Sequence, residues 1–117
     1  MRQGTNTDLG KVRVHKKVIA SIASIATVEV EGVARIGGDI KTGIYDLLGR
    51  KNSPGAIGVD FDDNGEALVT VPIIVKYGFN LPDVAAKVQE NIKASIEKMT
   101  DAVIKDIDVN IQEVEKG

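Results

Sequence analysis

Asp60-Phe61-Asp62-Asp63-Asn64-Gly65 is the densest group of chemically capable side chains in this sequence. Acidic groups at the first and third positions, Asn at the fifth and Gly at the sixth match the opening of a calcium-binding helix-loop-helix loop. The twelfth position, which should supply a bidentate Glu, is Val71, and strand patterns flank the segment. A hairpin turn explains the same residues. Asp106 and Asp108 form a second acidic pair, on a later strand pattern. If the two strands are neighbours, Asp60, Asp62, Asp106 and Asp108 share one face, where they could hold a hard cation or meet a basic partner. The simpler reading is a solvated face that keeps the sheet from stacking.

Other groups carry less. His15 is the single histidine and stands beside Lys16 and Lys17, with no acid or nucleophile spaced to orient it, as a general base requires. The absence of cysteine excludes disulfides, thiolate metal sites and a cysteine nucleophile, and it fits a cytoplasmic protein. No nucleophile elbow or phosphate-cradling glycine loop is present, so no catalytic residue, cofactor or metal is assigned. Gly55-Ala56-Ile57-Gly58 has the GxxG spacing of KH domains, which makes a small RNA-binding α/β domain the rival reading. Here the motif leads into a strand and has no base between its glycines. Aromatics at 3% and a net charge of −2 further weaken base stacking and phosphate attraction.

The elements that would position these groups are marked by periodicity. Residues 1–9 are polar and aperiodic and read as a flexible arm, leaving 10–115 as one domain. Lys11–Val14 is a short strand pattern. From 16 to 29 the period becomes helical, with Val18, Ile22 and Ile25 on one row and Ile19, Ile22 and Ala26 on the next. The remaining positions are mostly small (Ala20, Ser21, Ser24, Thr27), which permits close packing or a partner on that side too. Gly32 closes this region, and Val33–Ile36 is another short strand.

Residues 37–55 are irregular. Such long connections are often functional. Within them Ile44, Tyr45, Leu47 and Leu48 make one amphipathic turn, with Arg50 and Lys51 beyond it, a candidate partner-docking loop. Alternation then predicts strands over Ile57–Phe61 and Val69–Tyr77, joined through Asn64-Gly65. Pro72 cannot donate to a ladder, so it requires an edge or a bulge. Asn80 or Leu81, followed by Pro82 and Asp83, opens a second helix, whose inner row reads Ala85, Val88, Ile92, Ser95 or Ile96, and Met99. Ile107, Val109 and Ile111 point inward on the last strand, and Asp106, Asp108, Asn110 and Gln112 point outward.

The order is β-α-β-β-β-α-β. Alternation in the strands leaves one sheet face wet, which places both helices on the other: an α/β chain of the α+β type, a two-layer sandwich with a mixed or mainly antiparallel sheet. No apolar run approaches the ~20 residues that cross a bilayer, and no charged start followed by an apolar stretch suggests a leader.

Several segments, in order, resemble the alkaline shock protein family, the Gls-type bacterial envelope stress response proteins. They are Gly10-Lys11-Val12-Arg13-Val14 followed by Val18-Ile19 and Ile22-Ala23; Val30-Glu31-Gly32-Val33; Gly49-Arg50-Lys51 to Gly58-Val59; Val75-Lys76-Tyr77-Gly78; Val84-Ala85 to Val88-Gln89; Met99-Thr100; and Ile107 to Ile111. The likeness spans about residues 9–114. Such sequences commonly have a hydroxyl cap before the first helix, where this chain has His15, and a glycine-containing turn where it has Asp101-Ala102-Val103. The resemblance implies a non-enzymatic cytoplasmic protein in cell-envelope homeostasis. It further implies self-association into a homo-oligomer, and gathering at the membrane through a membrane-anchored partner. It transfers no catalytic residues.

Overall fold

The structure, a computed structural model, describes residues 4–7, 10–13, 15–38 and 56–116. Strands β1 (Gly4–Thr7) and β2 (Gly10–Arg13) pair antiparallel as a separate two-stranded sheet. Residues 4–7, read as part of an arm, are therefore a strand: backbone N–H and C=O groups pair with those of β2 whatever the polarity of the side chains. The first strand of the expected order is also displaced, because β2 joins β1 and not the main sheet.

The main sheet has four strands: β3 (Val33–Ile36), β4 (Gly58–Phe61), β5 (Ala67–Lys76) and β6 (Ile104–Glu115). The central strand, β5, pairs in parallel with β6 along its whole length. On its other edge it pairs antiparallel with β4 over residues 67–70 and with β3 over 73–75. β3 and β4 thus lie end to end along one side of β5, in a mixed sheet. Pro72 falls in the gap between them. Its carbonyl accepts from the Gly37 N–H at 2.8 Å, so its ring nitrogen faces the same gap and no ladder bond is lost.

Helix α1 (Lys16–Val28) packs against α2 (Leu81–Met99), β3 and β4, while α2 also covers β6. Both helices share one core with the inner face of β5, where Ala67, Val69, Val71, Ile73 and Val75 are fully buried. The two-layer sandwich follows from that single core. α2 starts as its residues require: Asn80 Oδ1 accepts from the Asp83 N–H at 3.0 Å, and Asp83 and Lys98 sit at the poles of the helix that suit their charges. Its buried row is Val84, Val88, Ile92 and Ile96. Ala85 is only half-buried and Met99 is exposed, because the row runs at four-residue spacing and leaves the seam at its C-terminal end.

α1 is less predictable. Ile19, Ala20, Ile22, Ala23, Ser24, Ala26 and Thr27 are buried, whereas Val18 and Ile25 face out. Contact with α2 as well as the sheet draws the small residues inward and turns part of the expected apolar row to solvent. Thr27 satisfies its hydroxyl within the helix, donating to the Ala23 carbonyl at 2.7 Å. His15 is the N-cap residue and makes no side-chain cap bond, so the first turn relies on the His15 carbonyl, which accepts from the N–H groups of Val18 and Ile19.

Gly32 ends the α1 turn at φ 101°, and a Cβ there would stand 2.8 Å from Val84 Cγ2 and 2.9 Å from the Phe79 ring. Its carbonyl accepts from the Lys76 N–H at 2.8 Å, which joins this turn to the end of β5. β5 stops at Lys76. Tyr77, the last residue of the predicted strand, lies beyond it at the turn of Gly78 (φ 97°) and is 67% exposed, with the Lys116 ammonium 5.7 Å from its ring centre.

Candidate interaction site

The outer sheet face carries the predicted aspartates, but β5 lies between their strands. Asp60 on β4 and Asp106 on β6 are both register partners of Leu68, so their backbones stand about two strand spacings apart, roughly 10 Å. Asp108 pairs with Thr70 in the next row, opposite Gly58. The carboxylates are spread across the face and do not converge. Charges separated by this distance across water are largely screened at physiological ionic strength, so the arrangement is tolerated without a counter-ion.

Two of the four carboxylates already have partners. Lys16 Nζ donates to Asp60 Oδ1 at 3.4 Å around the β4 edge, with both side chains more than half exposed. Such a surface pair contributes about 0–1 kcal/mol. Asp62 organises the hairpin: its Oδ1 accepts from the N–H groups of Asn64 and Glu66, each at 2.9 Å. Its Oδ2 pairs with Lys105 Nζ at 3.2 Å, where β6 bulges between Ile104 and Asp106. The Glu66 N–H is the main cause that holds the Asp62 carboxyl below its ordinary range; desolvation opposes it, and Lys105 and the Asn64 N–H add to the lowering.

The acidic loop is thus a five-residue turn between β4 and β5, with Gly65 at φ 80°, and its central carboxylate is used on its own backbone. Asp106 and Asp108 are exposed and carry no ion pair among the described residues. Further along the same face, the Arg35–Glu115 ion pair bridges from β3 to β6 across β5. Ile74, the register partner of Arg35, is 7% exposed on that face. Ile44, Tyr45, Leu47, Leu48, Arg50 and Lys51 lie outside the described residues.

An open groove missed by the sequence reading runs between the end of α1 and α2, lined by Glu29, Glu31, Lys87, Glu90 and Asn91. Only its order of elements could have revealed it, since the two halves are some sixty residues apart in the chain. At its floor Asn91 Nδ2 donates to the Ala26 carbonyl at 2.7 Å and to Glu29 Oε1 at 3.3 Å. Among the described residues no group of three or more His, Asp or Glu converges as a metal site would, and no helix is long and apolar enough to cross a membrane.

Residues 4–116 match the family model of alkaline shock protein 23, described as having a cell envelope-related function. The chain belongs to that family. The alkaline shock resemblance seen in the ordered sequence segments is therefore a family membership, and the function it establishes is cell envelope-related. Among curated proteins, the chain is similar to the uncharacterized protein YqhY of Bacillus subtilis, with 40% identity covering 91% of this chain and 78% of the relative. It is also similar to the uncharacterized protein YloU of the same organism, at 27% identity over 92% of this chain and 91% of the relative. No solved structure matches the chain significantly.

Proposed function

We propose that this alkaline shock family protein is a non-enzymatic binding or scaffold module that self-associates and serves cell-envelope homeostasis at the inner face of the membrane, where an anchored partner holds it. Family membership over nearly the whole chain carries this reading. The outer sheet face supports it as the partner surface. Asp106 and Asp108 are presented on a rigid strand, and Asp60 and Asp62, already paired to lysines, flank them. Ile44, Tyr45, Leu47, Leu48, Arg50 and Lys51, in the 37–55 segment, are a second partner surface in this reading. A basic, membrane-anchored partner fits the acidic face by charge.

The test is fractionation of the tagged full chain from its own bacterium, beside the Asp106→Lys/Asp108→Lys variant. The expected outcome is recovery of the wild type with membranes and with untagged copies of itself. The variant, folded to the same melting temperature, should lose the membrane fraction and fail to restore resistance to envelope stress in a deletion strain. Recovery with RNA in place of protein, or a deletion strain with unaltered envelope resistance, would overturn the proposal.

A further inference from the structure

Every exposed position of α1 except Lys16 lies on a single stripe: Lys17, Val18, Ser21, Ile25, Val28 and the C-cap Glu29. At 100° per residue these six fall within about 120° of arc, opposite the face that enters the core. Val18, Ile25 and Val28 are 44%, 61% and 40% exposed, an apolar strip that the described residues leave uncovered. The stripe is also symmetric about the level of Ala23: Lys17 mirrors Glu29, Val18 mirrors Val28, and Ser21 mirrors Ile25.

A second observation concerns charge. α1 has no acidic residue in its first turn and no basic residue in its last; instead Lys16 and Lys17 stand at its positive pole and Glu29 at its negative pole. α2 in the same chain has the opposite, favourable arrangement, with Asp83 first and Lys98 last. The charges on α1 oppose its own dipole and would suit an antiparallel neighbour.

From these two observations we infer that the outer stripe of α1 is the contact through which a second copy of this chain docks, antiparallel and two-fold symmetric about the level of Ala23. The inference rests on the self-association proposed above and names its surface. A two-fold contact must be self-complementary, and this stripe is: Lys17 of one copy meets Glu29 of the other at both ends. Val18 packs on Val28, and Ile25 packs over the small Ser21, which lets the helices approach closely. Glu29 also arrives at the partner helix's positive pole, and Lys17 at its negative pole. One helix per copy makes a small interface, at or below the ~1,200 Å² lower bound for stable specific contacts, so the dimer is expected to be weak and concentration-dependent.

Light scattering and sedimentation of the full chain from about 10 μM to about 1 mM test this, with four proteins compared. Wild type should shift from monomer to dimer across the range. Ile25→Lys, an exposed change that leaves the fold intact by circular dichroism and melting temperature, should weaken the dimer by about 100-fold or more, because it places a charge in the apolar seam. Lys17→Glu alone should also weaken it, and Lys17→Glu/Glu29→Lys should restore it to within about threefold of wild type. A dimer that survives Ile25→Lys would overturn this surface while leaving self-association standing. Failure of the double variant to rescue would overturn the antiparallel register. A wild type that stays monomeric throughout would overturn both readings, as would a monomer that co-sediments with phosphatidylglycerol vesicles, which would assign the stripe to a lipid surface.

Discussion

Asn91 on α2 donates its side-chain N–H to the Ala26 carbonyl at 2.7 Å, so the second helix closes the open end of the first. The last four carbonyls of a helix have no intrahelical partner. Here the Ile25 carbonyl accepts from the Glu29 N–H, the Thr27 carbonyl accepts from the Val30 N–H, and the Ala26 carbonyl depends on Asn91. Asn91→Ala removes that donor from a half-buried site. A loss of about 1–2 kcal/mol in urea unfolding is expected, with Gln89→Ala as comparison, since Gln89 makes the corresponding bond from α2 to the Ile107 carbonyl of β6. Loss in the first variant of less than about 0.5 kcal/mol would mean that water replaces the side chain at no penalty.

Gly32 combines a left-handed backbone with a close approach. Alanine there meets both a φ of 101° and the Val84 and Phe79 side chains at under 3.0 Å. Gly32→Ala should destabilise by about 2–4 kcal/mol and lower the melting temperature accordingly. Gly78, at φ 97° but with open space around its missing Cβ, isolates the backbone part: Gly78→Ala should cost only about 1 kcal/mol. Equal losses would refute the steric account.

Asp62 supplies a pH signature. Its carboxyl in the folded chain is held below the ordinary value of about 3.9, so the folded state binds that proton less readily than the unfolded state does. The stabilisation is complete above the unfolded value and is lost as the pH falls through the folded one. Stability measured by denaturant unfolding should therefore decline between about pH 5 and pH 3 more steeply in wild type than in Asp62→Asn. Parallel curves would show that the turn does not depend on this charge.

The two faces of β6 differ sharply. Ile107 is 7% exposed and touches the core, whereas its neighbour Asp108 is exposed. Ile107→Asp should destabilise by about 3–5 kcal/mol by placing an unpaired charge in the seam, while Asp108→Lys should stay within about 0.5 kcal/mol of wild type. Similar melting temperatures would overturn the assignment of faces. The contrast should be weaker at Val109 and Ile111, which are only half-buried on this outermost strand.

The strands of the main sheet, the second helix and the hairpin were legible in the residues because each rests on local physics. Alternation at period two marks which side of β4, β5 and β6 is dry. Pro82 and Asp83 announce the start of α2, and Asn64-Gly65 marks the turn between β4 and β5. Pro72 called for an edge or a bulge; in the structure it lies in the central strand, at the gap between β3 and β4. The family, too, could be read from the order of short segments.

Sequence alone could not show where α1 points, what β2 pairs with, or whether the four aspartates converge. α1 is apolar or small almost all the way round, so no periodicity separates the face that meets the sheet and α2 from the one left in solvent. Only the packing of two helices on one sheet turned Ile19 and Ala23 inward and Val18 and Ile25 outward. Likewise, strand neighbours are chosen by long-range pairing, and residues more than forty apart carry no local mark of it. β5 lies between β4 and β6, which separates Asp60 from Asp106, and that order is settled by closing the core, not by any property of the aspartates themselves.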